Sequence, residues 1–168
     1  MQLEKKTING LRWIVGILKK HEIPYRIGGG LAVHVYGSER PINDIDISLS
    51  GVYFEKIVPE VRKYITAGPK HYSDEKWDCD TLSLEYEGQE IDITDIDTLR
   101  MSNREKTEWF YMKDRYRAFD IVSMNVEGET VSLIHPRDLV GYKQHLDGDH
   151  QSMDIEAIER YMGQHSLV

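Results

Sequence analysis

The chain has 168 residues, 40% hydrophobic and 30% charged, with a formal net charge of -8. That length allows one domain with a sizeable apolar core, and the acidic balance argues against wrapping duplex DNA or RNA, which needs clustered Lys and Arg. A single cysteine, Cys79, excludes an intrachain disulfide and a cysteine-cluster zinc site, and no run approaches the ~20 apolar residues of a membrane-spanning helix.

From the N-terminus, MQLEKKTING carries no apolar signal segment, so a cytoplasmic location is the expectation. Ile8, Leu11, Ile14, Val15, Ile17 and Leu18 then recur at helical spacing. They predict a helix over residues 7–20, with Lys19 and Lys20 in the last turn, where cations favour the dipole. Trp13 on this helix reads as packing. Pro24 follows the helix and starts a strand, Tyr25-Arg26-Ile27. Gly28-Gly29-Gly30 leads from it into residues 31–36, which begin a second helix.

Glycine lets backbone approach a ligand closely. A helix start offers free N–H groups and a positive dipole end, so strand, glycine turn and helix start together suit an anion such as phosphate. A tight turn needing glycine for geometry alone reads the same way. Val33 stands where a G-x-G-x-x-G fingerprint needs its last glycine, and no G-K-[ST] follows. Next, Asp44-Ile45-Asp46-Ile47 alternates as a strand does. Asp44 and Asp46 therefore share a face, roughly 7 Å apart at Cα. Carboxylates that close repel unless a cation sits between them, and a hard ion such as Mg²⁺ suits the arrangement. An exposed acidic strand face is the plainer alternative.

Ser50-Gly51 turns the chain into a helix predicted over residues 52–65, kinked or restarted at Pro59 and closed by Gly68-Pro69. Residues 70–80 are polar and read as a loop or an edge strand. Residues 81–86 alternate as a strand, Glu87-Gly88 makes a hairpin turn, and residues 89–94 return. Cys79, flanked by Asp78 and Asp80, reads as structural, because neighbouring negative charge disfavours the thiolate. Residues 99–116 show little pattern. Trp109, Phe110, Tyr111 and Met112 form either a flap over a ligand or ordinary packing. Lys113, Arg115 and Arg117 make a small basic cluster, phosphate-facing or simply solvated. Strands are predicted over 118–126 and 130–133, and helices over 136–146 and 150–162.

A glycine pair opening a short helix, then about a dozen residues, then D-x-D on a strand resembles the nucleotidyltransferase superfamily. That is the fold of polymerase-β-like enzymes, CCA-adding enzymes and the lincosamide- and aminoglycoside-modifying transferases. Gly28, Gly29, Asp44 and Asp46 carry the resemblance. Arg40-Pro41-Ile42-Asn43-Asp44-Ile45-Asp46 is similar to the R-x-T-x-D-I-D loop of small members, including those of toxin–antitoxin pairs, with Ile42 in the usual Ser or Thr position. The resemblance implies an α/β (α+β) fold: a mixed sheet flanked by helices, with a core over about 1–134 and C-terminal helices over about 135–168. It also implies a third carboxylate between apolar residues on a later strand. Asp92, between Ile91 and Ile93, fits, with Glu90 as the weaker choice. In the tail, Lys143 matches a lysine that tends to face the triphosphate, and Asp154 resembles the acid after it. An exposed helix lysine is the alternative for Lys143.

The implied activity is metal-dependent transfer of a nucleoside monophosphate from a nucleoside triphosphate to a hydroxyl acceptor, releasing pyrophosphate. Asp44, Asp46 and Asp92 would be the catalytic and metal-holding carboxylates, for two Mg²⁺ ions or Mn²⁺ in their place. Asp92 would also accept the hydroxyl proton. Gly28, Gly29 and Gly30 would seat phosphates, while Arg40 and Lys143 stabilise charge on them. The acceptor is expected to be a small molecule or a protein rather than RNA. A toxin–antitoxin partner belongs to the same expectation, and so does the alternative of a non-catalytic nucleotide-binding or antitoxin-like member. A haloacid-dehalogenase-type phosphatase fits less well, because its nucleophilic Asp follows an apolar strand and Glu39-Arg40-Pro41-Ile42-Asn43 is a loop.

Overall fold

Two hydrophobic periodicities place the core in the computed structural model, which describes residues 2–116 and 120–165. The first is helical. α1 (Lys5–Lys20) turns Leu11, Ile14, Val15 and Leu18 inward, and α3 (Phe54–Val61) adds Phe54, Ile57 and Val61. Between them in the chain run β1 (Arg26–Gly28), α2 (Gly29–Val35) and β2 (Asp44–Leu49). The second periodicity is that of strands. In β2, Ile45, Ile47 and Leu49 are buried while Asp44, Asp46 and Ser48 are not. After β3 (Ile65–Ser73) and β4 (Trp77–Tyr86), β5 (Gln89–Asp95) repeats the pattern with Ile91 and Ile93. These isoleucines meet α1 and α3 on one face of the sheet, with Thr7 Oγ1 of α1 donating 2.6 Å to Gln89 Oε1 of β5.

The chain continues through β6 (Arg100–Ser102), β7 (Trp109–Tyr111), α4 (Met112–Arg115), β8 (Ile121–Val126), β9 (Glu129–Ile134), α5 (Pro136–Lys143) and α6 (His150–Gln164). Among the described residues the strands form one mixed sheet in the order β7-β6-β4-β5-β2-β1-β9-β8, with β3 also paired to β4. β2 and β5 are parallel, while β1 and β2, and β4 and β5, are antiparallel. Leu139 and Val140 of α5 and Ile158 and Met162 of α6 join the main buried cluster. A smaller cluster of Cys79, Ile96, Leu99, Met101, Met112 and Tyr116 lies under β6 and α4. Gly141 lets α5 close on the Tyr116 ring, whose hydroxyl donates 2.8 Å to the Gly141 carbonyl. Buried Lys76 donates to the carbonyls of Ser102, Asn103 and His145, tying β4 and β6 to the turn after α5. No helix among the described residues is long and apolar enough to cross a membrane.

Several boundaries differ from expectation for physical reasons. The helix expected over 52–65 is α3 between short 3-10 turns at Gly51–Tyr53 and Arg62–Tyr64. Pro59 lacks the N–H that would bond the Glu55 carbonyl, and α3 ends two residues later. Gly68-Pro69 does not close a helix. It lies inside β3, where register against β4 shifts, and Gly68 has φ +86° with Thr81 O 2.4 Å from where a Cβ would stand. β4 begins at Trp77, and its early acids are satisfied by ion pairs rather than left in a loop. Residues 99–116 form two short strands at one end of the sheet and a short helix; Leu99, Met101 and Met112 are buried, whereas Trp109 and Tyr111 are exposed. Arg117 and Ala118, and with them part of the expected basic cluster and the expected start of β8, lie outside the described residues.

Candidate active site

The sheet face turned away from α1 and α3 collects the acidic residues. Asp44 and Asp46 project from β2, and parallel register sets Asp46 beside Asp92 of β5. Each of the three offers a carboxylate oxygen, and these oxygens lie within 4.8 Å of one another. Burial first, then the charges of Asp44 and Asp92, push the Asp46 carboxyl up to about 7, with Lys143 pulling the other way. Asp44 is also raised, by burial and then by Asp92 and Glu90. Asp92 is steadied by Ser83 of β4, whose Oγ donates 2.7 Å to its Oδ1. Three hard oxygen donors this close to one another suit a divalent cation such as Mg²⁺.

The three glycines at the end of β1 are unequal. Gly29 has φ +56°, and a Cβ there would lie 1.9 Å from Asp46 Oδ2. Only glycine lets the turn and the carboxylate share that space. The Gly29 N–H donates 3.1 Å to the Tyr142 hydroxyl of α5. Gly28 lies in β1 opposite Asp46, and a Cβ there would stand 3.5 Å from the same hydroxyl. At Gly30 a Cβ would meet nothing.

The two expected cations converge on one acid. Arg40 holds Asp154 of α6 in a fork, Nε to Oδ1 at 2.9 Å and Nη2 to Oδ2 at 3.1 Å. Lys143 of α5 pairs with Asp154 Oδ2 at 3.2 Å and donates 2.8 Å to Gln151 Oε1. Asp154 is 0% exposed. Burial lowers the Lys143 pKa, and Asp154 offsets part of that.

A cavity of about 440 Å³ opens along this face. Gly28, Gly29, Asp46, Asp92 and Lys143 line it together with Tyr142 and Ser83, whereas Asp44, Gly30 and Arg40 stand outside its lining. Glu90 is exposed and outside the carboxylate cluster. Asp95 and Asp97 are committed to the turn after β2: Asp95 Oδ1 accepts the Gly51 N–H at 2.7 Å, and Asp97 Oδ2 accepts from Ser50 Oγ at 2.5 Å. Cys79 is buried, and burial pushes its thiol up to about 12, as a structural cysteine requires. Trp13 stacks on Tyr86 at 4.2 Å, so it packs.

Sequence reasoning missed Ser83, Tyr142 and Gln151. Ser83 had a signal, because a hairpin pairing Tyr86 with Gln89 also sets Ser83 opposite Asp92. Tyr142 and Gln151 had none, since only the docking of α5 and α6 brings them to the site.

No protein-family model and no curated protein matches the sequence. Solved structures match its shape. A nucleotidyltransferase candidate from Thermotoga maritima has a TM-score of 0.68 at 16% identity, over 97% of this chain and 96% of that one. The lincosamide antibiotic adenylyltransferase LnuA, with lincomycin bound, gives 0.61 at 14% identity over 95% of this chain and 98% of that one. ANT(2″)-Ia, in complex with adenylyl-2″-tobramycin, gives 0.61 at 12% identity over 95% and 91%. At these identities the likeness is one of fold.

Proposed function

We propose that this chain, which has the nucleotidyltransferase fold, transfers a nucleoside monophosphate from a nucleoside triphosphate to a hydroxyl acceptor. The observation that carries the proposal is the meeting of Asp44, Asp46 and Asp92 beside the glycine turn. Asp44, Asp46 and Asp92 would hold divalent cations, Mg²⁺ or Mn²⁺, which when bound neutralise phosphate charge and acidify the attacking hydroxyl. Gly28 and Gly29 would present backbone to the phosphates, with Gly30 behind them outside the cavity lining, and a phosphate that takes the Gly29 N–H replaces the Tyr142 hydroxyl there. Lys143 sits in the cavity wall with its ammonium already oriented by Asp154 and Gln151, so less ordering is left for binding. Arg40 braces Asp154 from the far side and acts on phosphate charge through that brace.

In the transfer, the acceptor oxygen bonds to the α-phosphorus and the bond to the α–β bridging oxygen breaks. Pyrophosphate leaves with that electron pair, and the hydroxyl proton passes to Asp92, which Ser83 holds in place. The overall exchange leaves the acceptor esterified to a nucleoside monophosphate. Thermal unfolding with each of the four nucleoside triphosphates, with and without Mg²⁺, tests the nucleotide half. A shift that needs Mg²⁺ and disappears in Asp44→Asn/Asp46→Asn is expected. No shift with any nucleotide would overturn the reading. A Mg²⁺-dependent shift without transfer to any acceptor would favour a non-catalytic nucleotide binder on the same fold.

A further inference from the structure

We propose that the acceptor is a small uncharged alcohol with a largely apolar, ring-sized body, bound in the β4 half of the cavity; this rests on the nucleotidyltransferase reading above. The two flanks of the carboxylates differ in chemistry. Toward β1 lie Gly28, Gly29 and Lys143, groups that suit phosphate. Toward β4 lie Ser83, Thr81, Cys79 and Trp77, with Leu99 and Met112 as the apolar wall. Register sets this flank beside the third carboxylate, because Ser83 stands opposite Asp92 and Thr81 opposite Thr94. Asp92 would take the acceptor's proton, so the acceptor hydroxyl belongs on its side. A cavity of about 440 Å³, shared with the reacting phosphate, admits a small molecule.

Strand alternation decides the charge of that molecule. A polycationic acceptor would need carboxylates along the β4 wall to replace its lost hydration. β4 carries two acids in this stretch, Asp78 and Asp80, but residues one apart in a strand face opposite ways. Both are committed elsewhere: His71 meets Asp78 at 2.6 Å and Asp80 at 2.9 Å, and Arg100 pairs with Asp78 at 2.5 Å. The wall that does face the cavity offers hydroxyls, a thiol and an indole. Hydroxyls at Ser83, Thr81 and Thr94 can pair with polar groups at the edge of an otherwise apolar body.

The test uses nucleoside triphosphates labelled at the α-phosphate, with Mg²⁺ and three sets of acceptors. These are uncharged ring alcohols (cyclohexanol, 2-phenylethanol and aryl glycosides), the polycationic alcohol kanamycin, and casein as a protein hydroxyl source. Binding is followed by ligand-observed NMR and transfer by labelled product. Uncharged ring alcohols are expected to bind and accept label, with kanamycin and casein at least about tenfold poorer. Thr81→Phe fills the β4 flank with a strand-compatible side chain and should cut transfer about tenfold or more. Its nucleotide-dependent thermal shift reports folding. Thr81→Val, which removes only the hydroxyl, should raise KM for the acceptor with little change in kcat. Preference for kanamycin or casein overturns the proposal, as does transfer indifferent to both Thr81 variants. Nucleotide binding with no uncharged alcohol bound also overturns it and leaves the nucleotide reading standing. Absence of nucleotide binding in the natural protein overturns that underlying reading instead.

Discussion

Asp46 and Gly29 are one feature at the residue scale, a carboxylate lodged where a side chain would otherwise stand. Gly29→Ala forces a methyl group into Asp46 Oδ2 at a left-handed φ, so a loss of about 1–3 kcal/mol is expected. Gly30→Ala, where a Cβ meets nothing, should be close to neutral; urea unfolding of the two variants side by side makes the comparison. Asp46 also fixes a pH dependence. Its carboxyl is near 7 in the fold against 3.8 ordinarily. Between those values the folded chain holds a proton that the unfolded chain has released, so stability must fall as pH rises through that window. Asp46→Asn should remove most of this slope and stabilise the metal-free protein near pH 7, and added Mg²⁺ should offset the loss in the natural protein. Chemical unfolding in EDTA from pH 4 to 8, repeated with Mg²⁺, reads both effects.

Among the elements, α6 matters most beyond the sheet, because its Asp154 holds two cations from separate parts of the chain. Asp154→Ala takes the paired carboxylate from buried Lys143, leaving it Gln151 and the more distant Asp46 charge, and releases Arg40. A destabilisation of about 3 kcal/mol is expected, toward the low end for a broken buried pair because Arg40 still reaches solvent. Nucleotide affinity should fall as well, since Lys143 loses its orientation; urea midpoints and Mg²⁺–nucleotide titrations report the two consequences separately. β2 and β5 were readable from sequence because apolar residues alternate with polar ones through Asp44–Leu49 and through residues 90–94. The first half of β4 was not, although Trp77, Cys79 and Thr81 alternate with Asp78 and Asp80. Its two faces are set by ion pairs to His71 and Arg100, partners that only the register of β3 and β6 reveals. Tyr142 and Gln151 were illegible for a related reason: helical spacing says which residues share a face, not which turn that face meets.

For the molecule as a whole, the fold is matched across nearly the full chain while identity stays at 16% or below in the neighbours described. What the sheet holds in common is backbone register, which many sequences can satisfy, so pairwise identity carries little of it. A bound ligand acts on the whole two-state equilibrium. Mg²⁺–nucleotide at about a hundred times its Kd should add ~2.7 kcal/mol to stability, or roughly 5–10 °C in Tm for a chain of this size. Differential scanning calorimetry of the protein with and without Mg²⁺ and nucleotide checks the figure.

The placement of the indoles makes the molecule its own optical instrument. The chain has three tryptophans. Trp13 is stacked against Tyr86, and Trp109 lies on an edge strand beneath the Arg100 guanidinium. Trp77 lines the cavity, with its ring 6.5 Å from that of Tyr142. In a Trp13→Phe/Trp109→Phe protein the remaining indole emission comes from Trp77, whose colour and quenching follow whatever enters beside it. Arrival of each reactant can then be timed in a stopped-flow mixer without attaching a dye.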